Sequence, residues 1–289
     1  MQHSSPLLAV FVGGVVAVTV TFLLLKISLR RQRRKVDAIE SVMGPYRQGD
    51  YEAALQATES LQESDVSTRT CDSFRGEMLM QLGHLDEAEA WLQECVALGR
   101  ESETLDRRRG GIAGFENQIK LSALHNQTLG TLRLEQLRYD EAMKCFEASL
   151  RDWPNHASCH REIAEAMLRR GDSPAEAVKC AKLAVEEERA AKVESQSVHD
   201  INMSEDLATL AWAVAVASHD AEQVDRLVAE ALPLGLEHQV VPSFAQVHFH
   251  AGLAYAALGS TEQSAQHLQE AARIDPKGRR GRAARARLT

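Results

Sequence analysis

His156, Cys159 and His160 stand at i, i+3 and i+4. On one helix they would share a face, and imidazole and thiolate at that spacing can ligate zinc. Pro154-Asn155 just upstream marks a helix start, which sets His156 outside the first turn and leaves Cys159 as a small packing residue. His248 and His250 are two apart and face different sides of any helix. The five cysteines, Cys71, Cys95, Cys145, Cys159 and Cys180, are odd in number and contain no CxxC pair, so free thiols in a reducing compartment are expected. No phosphate-binding loop, nucleophile elbow, H-E-x-x-H or dinucleotide fingerprint is present. The sequence therefore predicts no enzyme, no metal centre and no cofactor. The chemistry left to these side chains is binding.

The elements that must present such a surface are legible in a spacing. Gly130, Ala142, Phe146 and Pro154 follow one another by 12, 4 and 8 residues, and Gly252, Ser264, Leu268 and Pro276 repeat those steps. A small residue is needed where two antiparallel helices come closest, here Gly130 against Ala142 and Gly252 against Ser264. A large apolar group beside it fills the gap to the next pair, and proline stops the second helix. The turn glycines Gly49 and Gly83 lie 34 residues apart, a period typical of helix–turn–helix arrays. Six hairpins are expected, at about 35–68, 69–102, 123–156, 157–192, 205–238 and 245–278. The first is expected to kink or break at Gly44-Pro45, and the fifth is degenerate, with Trp212 in the glycine place. Arg107–Gly111 reads as an exposed basic loop inside an insert at 103–122, with helix resuming from Gly114. The segment 193–204 reads as a polar connection.

Charge is unevenly placed along the chain. Residues 1–35 and 277–289 each carry six basic residues and no acid, whereas 36–276 hold 21 basic and 41 acidic residues. An acidic body argues against nucleic-acid binding by the repeats. Leu7–Leu25 is 19 residues without a charge, which at about 1.5 Å per residue matches the hydrocarbon thickness of a bilayer. A signal peptide would want a basic n-region and a cleavage site, and the first six residues carry no Lys or Arg. The reading is a retained single-pass anchor. Its downstream basic cluster places the N-terminus outside and the following chain in the cytoplasm. Ala9, Gly13, Ala17 and Thr21 form a stripe of small residues on which a second membrane helix, including that of another copy, could pack.

These repeats resemble the tetratricopeptide repeat family over about 35–278, most strongly at 123–156 and 245–278. The tryptophan often found early in the first helix is replaced by Asn126 and His248. The resemblance implies an all-α solenoid of helical hairpins, about five or six repeats, preceded here by one transmembrane helix. Three segments follow: residues 1–35 as anchor and basic juxtamembrane stretch, 36–278 as solenoid, and 279–289 as an arginine-rich tail. The resemblance also implies that first helices line a concave, peptide-reading face. By matching position its residues would be Gln127, Thr131, Leu134 and Glu135, then Arg161, Glu165, Leu168 and Arg169, then Phe249, Leu253 and Ala256. Members that clamp acidic chaperone tails carry Lys and Asn where this chain has Ile39 and Met43, which disfavours that partner.

Two readings of the tail stay open: a helix with a basic face, or an arm binding nucleic acid, anionic lipid or the chain's own acidic body. The expected function is a membrane-anchored scaffold that recruits a protein or peptide partner. The alternative is an accessory subunit of a translocase, protease or envelope-biogenesis machine that docks partly through its membrane helix.

Overall fold

The computed structural model describes residues 26, 28–30, 33–34, 36–62, 68–109, 112–192 and 195–289. The expected anchor Leu7–Leu25 and its small-residue stripe Ala9, Gly13, Ala17 and Thr21 lie outside the described residues. Among the described residues no helix is long and apolar enough to cross a membrane, and none forms a strand.

Among the described residues, six antiparallel hairpins follow one another. They are α1 (36–47) with α2 (Tyr51–Gln62), α3 (Thr68–Leu82) with α4 (Leu85–Arg109), α5 (Ile112–Glu135) with α6 (Tyr139–Asp152), α7 (Ala157–Arg170) with α8 (Pro174–Ala190), α9 (Gln196–Ser218) with α10 (Ala221–His238), and α11 (Val241–Ala257) with α12 (Thr261–Ile274). A last helix, α13 (Arg279–Leu288), packs on α12 and α11 and also touches α3. Helix α1 runs unbroken through Gly44-Pro45 to a turn at Gln48-Gly49. The expected break is absent because Pro45 sits in the last turn, and its carbonyl accepts from Gln48 and Asp50 to close the helix. The basic stretch Arg107–Arg109 belongs to helix α4, not to a loop, and α5 is extended backwards to Ile112. The expected polar connection is cut short because α9 starts at Gln196.

The glycine grid has a sharper physical meaning than its spacing suggests. A Cβ on Gly130 would stand 2.5 Å from the Phe146 ring, one on Gly252 2.8 Å from Leu268, and one on Gly76 2.5 Å from Leu92. Each glycine makes room for the large residue sixteen positions on, so that group fills its own hairpin and not only the gap to the next. The residue twelve positions on is also close, since the Ser264 hydroxyl donates to the Gly252 carbonyl at 2.8 Å. Gly130→Ala is therefore expected to cost about 1–3 kcal/mol by overpacking, read as a lower urea midpoint, with a smaller cost in a Phe146→Leu background.

Turns between the paired helices need left-handed backbone. Gly49, Gly83, Gly171 and Gly259 supply it, whereas Leu137 holds φ 61° and is 62% exposed. Left-handed geometry costs a non-glycine residue about 1–2 kcal/mol. Glycine adds unfolded-state entropy of about 0.4–1 kcal/mol in return. Leu137→Gly should thus stabilise the protein by about 0.5–1 kcal/mol, visible as a raised thermal midpoint.

The array closes head to tail. The first hairpin meets the last: Tyr51 Oη donates to Asp275 Oδ2 at 2.7 Å across 224 residues, and Lys277 reaches Glu52 at 3.4 Å. A Cβ on Gly49 would come within 2.9 Å of Val241. The second hairpin meets α13, where Arg279 N donates to Gln81 Oε1 at 3.0 Å and Arg282 caps the Gln81 carbonyl. Apart from the approach of Gly49 to Val241, the seam is made of polar groups. The largest apolar core lies among α7 to α13, around Leu207, Trp212, Val247 and Leu268.

Candidate functional site

Closure turns the first helix of each pair toward an internal polar space. Gln127, Thr128 and Thr131 of α5, Arg161 and Glu162 of α7, Glu205 of α9, and Pro242, Ser243 and Gln246 of α11 line a chamber of about 190 Å³. Tyr46, Glu77 and Gln81 from the first two hairpins and Arg279 of α13 complete its wall.

Two ion-pair groups border it. In the first, Arg161 donates from Nη1 to Asp206 Oδ1 and lies 2.9 Å from Glu205 Oε2 through Nη2. Asp206 is fully buried, and burial pushes its pKa up to about 7 against the pull of Arg161. In the second, Arg280 of α13 grips Glu165 with both terminal nitrogens, at 2.8 and 2.7 Å. Burial alone would raise Glu165, but Arg280, His250 and Arg169 outweigh it and hold the carboxyl well below its usual range. His250 Nε2 lies 3.2 Å from Glu165, and its Nδ1 is 3.0 Å from the Thr209 hydroxyl. Burial lowers the His250 pKa despite that carboxylate. Arg169 bonds Glu135 at 3.0 Å, and Arg279 comes to 3.5 Å of the same carboxylate. Arg280 also lies over the Phe249 ring, 5.4 Å from its centre.

Most of the residues proposed from sequence thus converge. Gln127, Thr131 and Arg161 line the chamber, Glu135, Glu165 and Phe249 meet the arginines of α13, and Arg169 shares Glu135 with Arg279. Three do not belong to the inner face. Leu134 packs with Ala142 and Phe146, and Leu168 and Leu253 are buried in the main core. Leu134 and Leu168 each sit about 100° round their helix from an inner residue, which turns them against the neighbouring helix. Ala256 is exposed. Sequence reasoning missed Glu162, Glu205, Asp206, Gln246 and His250. For the last four the signal available was polar residues inside the otherwise apolar helices α9 and α11, where each buried polar group needs a partner.

The tail is a helix and its first arginines face the acidic interior, so the reading in which it binds the chain's own body holds for Arg279 and Arg280. Arg285 and Arg287 remain exposed.

The zinc-like trio is dispersed among separate partners. His156 stacks on Trp153 at 4.2 Å and meets the Ser149 hydroxyl at 3.3 Å, Cys159 bonds the Phe146 carbonyl, and His160 pairs with Glu187 at 2.8 Å. A different trio, Asp200, Glu237 and His238, has ligand atoms within 4.8 Å of one another, but both Asp200 oxygens already accept from Gln196 and His238.

Burial depresses the His156 pKa to about 4, from an unfolded value of about 6.5. Below about pH 6.5 the unfolded chain takes up a proton that the folded one refuses. Stability is thus full above that pH and falls as pH drops toward 4, by up to about 1.4 kcal/mol per pH unit for this residue. Urea titrations from about pH 7 to 4 should show a shallower slope in His156→Gln.

Comparison with known proteins places this arrangement. The tetratricopeptide repeat family model matches residues 46–103, 128–192 and 221–279, passing over the end of α4 with most of the extended α5, and the degenerate α9. No curated protein matches the chain. Similar solved structures include BtubC (BKLC) from P. vanneervenii, 16% identical, with 84% of this chain and 90% of that one covered at a TM-score of 0.47. YrrB, a TPR protein with an unusual peptide-binding site, is 17% identical, with 80% and 96% covered at 0.35. The TPR2AB domain of yeast Sti1 in its pHSP90 complex is 15% identical, with 90% and 96% covered at 0.38. With its family motif matched over more than half its length and carried by stacked helical hairpins, the chain belongs to the tetratricopeptide repeat family.

Proposed function

We propose that this protein is a membrane-tethered scaffold whose solenoid recruits a protein partner on the cytoplasmic side. The observation that carries the reading is the inner face itself. Glu135 and Glu165 receive two consecutive arginines from a helix, Arg279 and Arg280. A face that holds its own basic helix by charge-assisted, bidentate pairing is suited to a partner segment with adjacent arginines, which would take the same acceptors in place of α13. Family membership supports the scaffold role. The apolar run Leu7–Leu25 and the basic cluster after it support the tether and its orientation.

The test is photo-crosslinking in cells from a probe at Ser243, on the rim of the chamber, followed by rebuilding the complex from purified components. A partner that binds the full chain and loses at least about tenfold affinity, about 1.4 kcal/mol, on Glu135→Lys supports the reading. Retention of every partner by that variant, with unchanged circular dichroism, would move binding to another face. Recovery of the chain in the soluble fraction after alkaline extraction would remove the tether.

The second reading, an accessory subunit docking through its membrane helix, is favoured by the stripe Ala9, Gly13, Ala17 and Thr21. Replacing Leu7–Leu25 by an unrelated span separates the two, because a tether survives the exchange and a docking helix does not.

A further inference from the structure

Four of the residues that line the chamber carry buried polar atoms that the protein itself leaves unpaired. Arg161 Nε, Gln246 Nε2 and Arg279 Nε are buried donors, and Glu162 Oε2 is a buried acceptor, none with a hydrogen-bond partner in the chain. Arg161, Glu162 and Gln246 are 7%, 4% and 4% exposed, and all four residues line the same space. An unpaired buried polar group costs about 1–3 kcal/mol, and a native fold rarely leaves several together.

Their chemistry is selective. Two guanidinium N–H groups and a carboxamide N–H call for a carboxylate-like acceptor. The free Glu162 oxygen calls for a donor, best a cationic one. Glu77 and Glu205 on the same wall offset the charge of the two arginines, so the chamber suits a molecule bearing both signs better than a simple anion. A chamber of about 190 Å³ is smaller than the roughly 300–1,000 Å³ of drug-sized pockets, which restricts the occupant to a few heavy atoms. Gln127, Thr128 and Ser243 on its wall are only half-buried and leave it open to solvent.

We infer that the chamber is a binding site for a small zwitterion of the amino-acid class, with its carboxylate on Arg161, Arg279 and Gln246 and its ammonium on Glu162. The four residues come from α7, α11 and α13, so the bound molecule ties the fourth hairpin to the sixth and to the C-terminal helix. Binding stabilises the closed ring in proportion to its affinity. The inference differs from the scaffold reading in its ligand, and shares with it only Arg279, which a partner replacing α13 would withdraw from the chamber.

The test is calorimetric titration of the full chain in detergent with each free L-amino acid, using glucose, glycerol and sulfate as contrasts. Binding of at least one amino acid at one per chain is expected, with a raised thermal midpoint. Glu162→Gln removes the charge facing the ammonium and should weaken that binding about tenfold or more while circular dichroism stays unchanged. Ser243→Leu, at a half-buried wall position, should block it by filling the space and serves if Glu162→Gln does not fold. Failure of every amino acid to bind would mean that ordered water satisfies these atoms and would overturn the inference. Equal binding of glucose or glycerol would make the site a polyol site, equal binding of sulfate an anion site, and an unaffected Glu162→Gln would displace the ammonium from its assigned partner. Each of these outcomes also overturns it.

Discussion

Arg280→Ala is expected to cost about 3–5 kcal/mol, the range for removing one partner of a buried ion pair. Glu165 is 1% exposed and receives both terminal nitrogens of Arg280. Without that guanidinium its carboxylate keeps only Arg169 at 3.4 Å and the His250 ring, which burial holds in its neutral form. Glu165 would then regain a proton at higher pH, because the largest influence favouring its ionisation is gone. The loss in stability should therefore be greatest well above the carboxylate range and shrink as pH falls through the new, higher pKa. Arg280→Met combined with Glu165→Leu tests whether the cost is that of a stranded charge. The double variant should lose less than the two singles added together, by at least about 1 kcal/mol. Strict additivity in urea denaturation would show that the pair contributes nothing as a pair.

The same residues show how far sequence reasoning carries. The inner positions Gln127, Thr131 and Glu135, with Arg161, Glu165 and Arg169, recur every four residues on helices that the glycine grid had already located. A helix advances about 100° per residue, so Leu134 and Leu168, each one position away from an inner residue, turn into the apolar layers. The transfer by repeat period failed in α11. That helix is rotated so that Gln246 and His250 point inward while Phe249 sits at the edge under Arg280.

Ring closure was not legible at all. It depends on the small rotation between successive hairpins, which accumulates over six of them and is set by packing that no single motif encodes. The two residues that lock it, Tyr51 and Asp275, lie 224 positions apart and belong to no shared pattern. What the sequence did contain was the charge imbalance. Six basic residues without an acid, following a body with twice as many acidic as basic groups, had few places to go other than onto that body.

Gly281→Ala should open the ring without touching any charge. A Cβ at this position would collide with the backbone carbonyl of Asp275 and crowd that of Ala271, so no side-chain rotation relieves it. Helix α13 must lift from the end of α12. Lifting it takes Arg279 from Gln81 and Glu135 and Arg280 from Glu165, and strains the seam at Tyr51 and Asp275. The cost should reach the upper end of overpacking, about 3 kcal/mol, with further losses from the stranded carboxylates. Limited trypsin digestion reads the event directly. In the native chain Arg285 and Arg287 are exposed and open to cleavage, whereas Arg279 and Arg280 are shielded. In Gly281→Ala, cleavage at Arg279 and Arg280 should appear within the first digestion times, while the hairpins from α5 to α12 stay resistant. A digestion pattern identical to the native one would mean that α13 accommodates the methyl group in place, and that closure does not depend on the bare approach of Gly281 to Asp275.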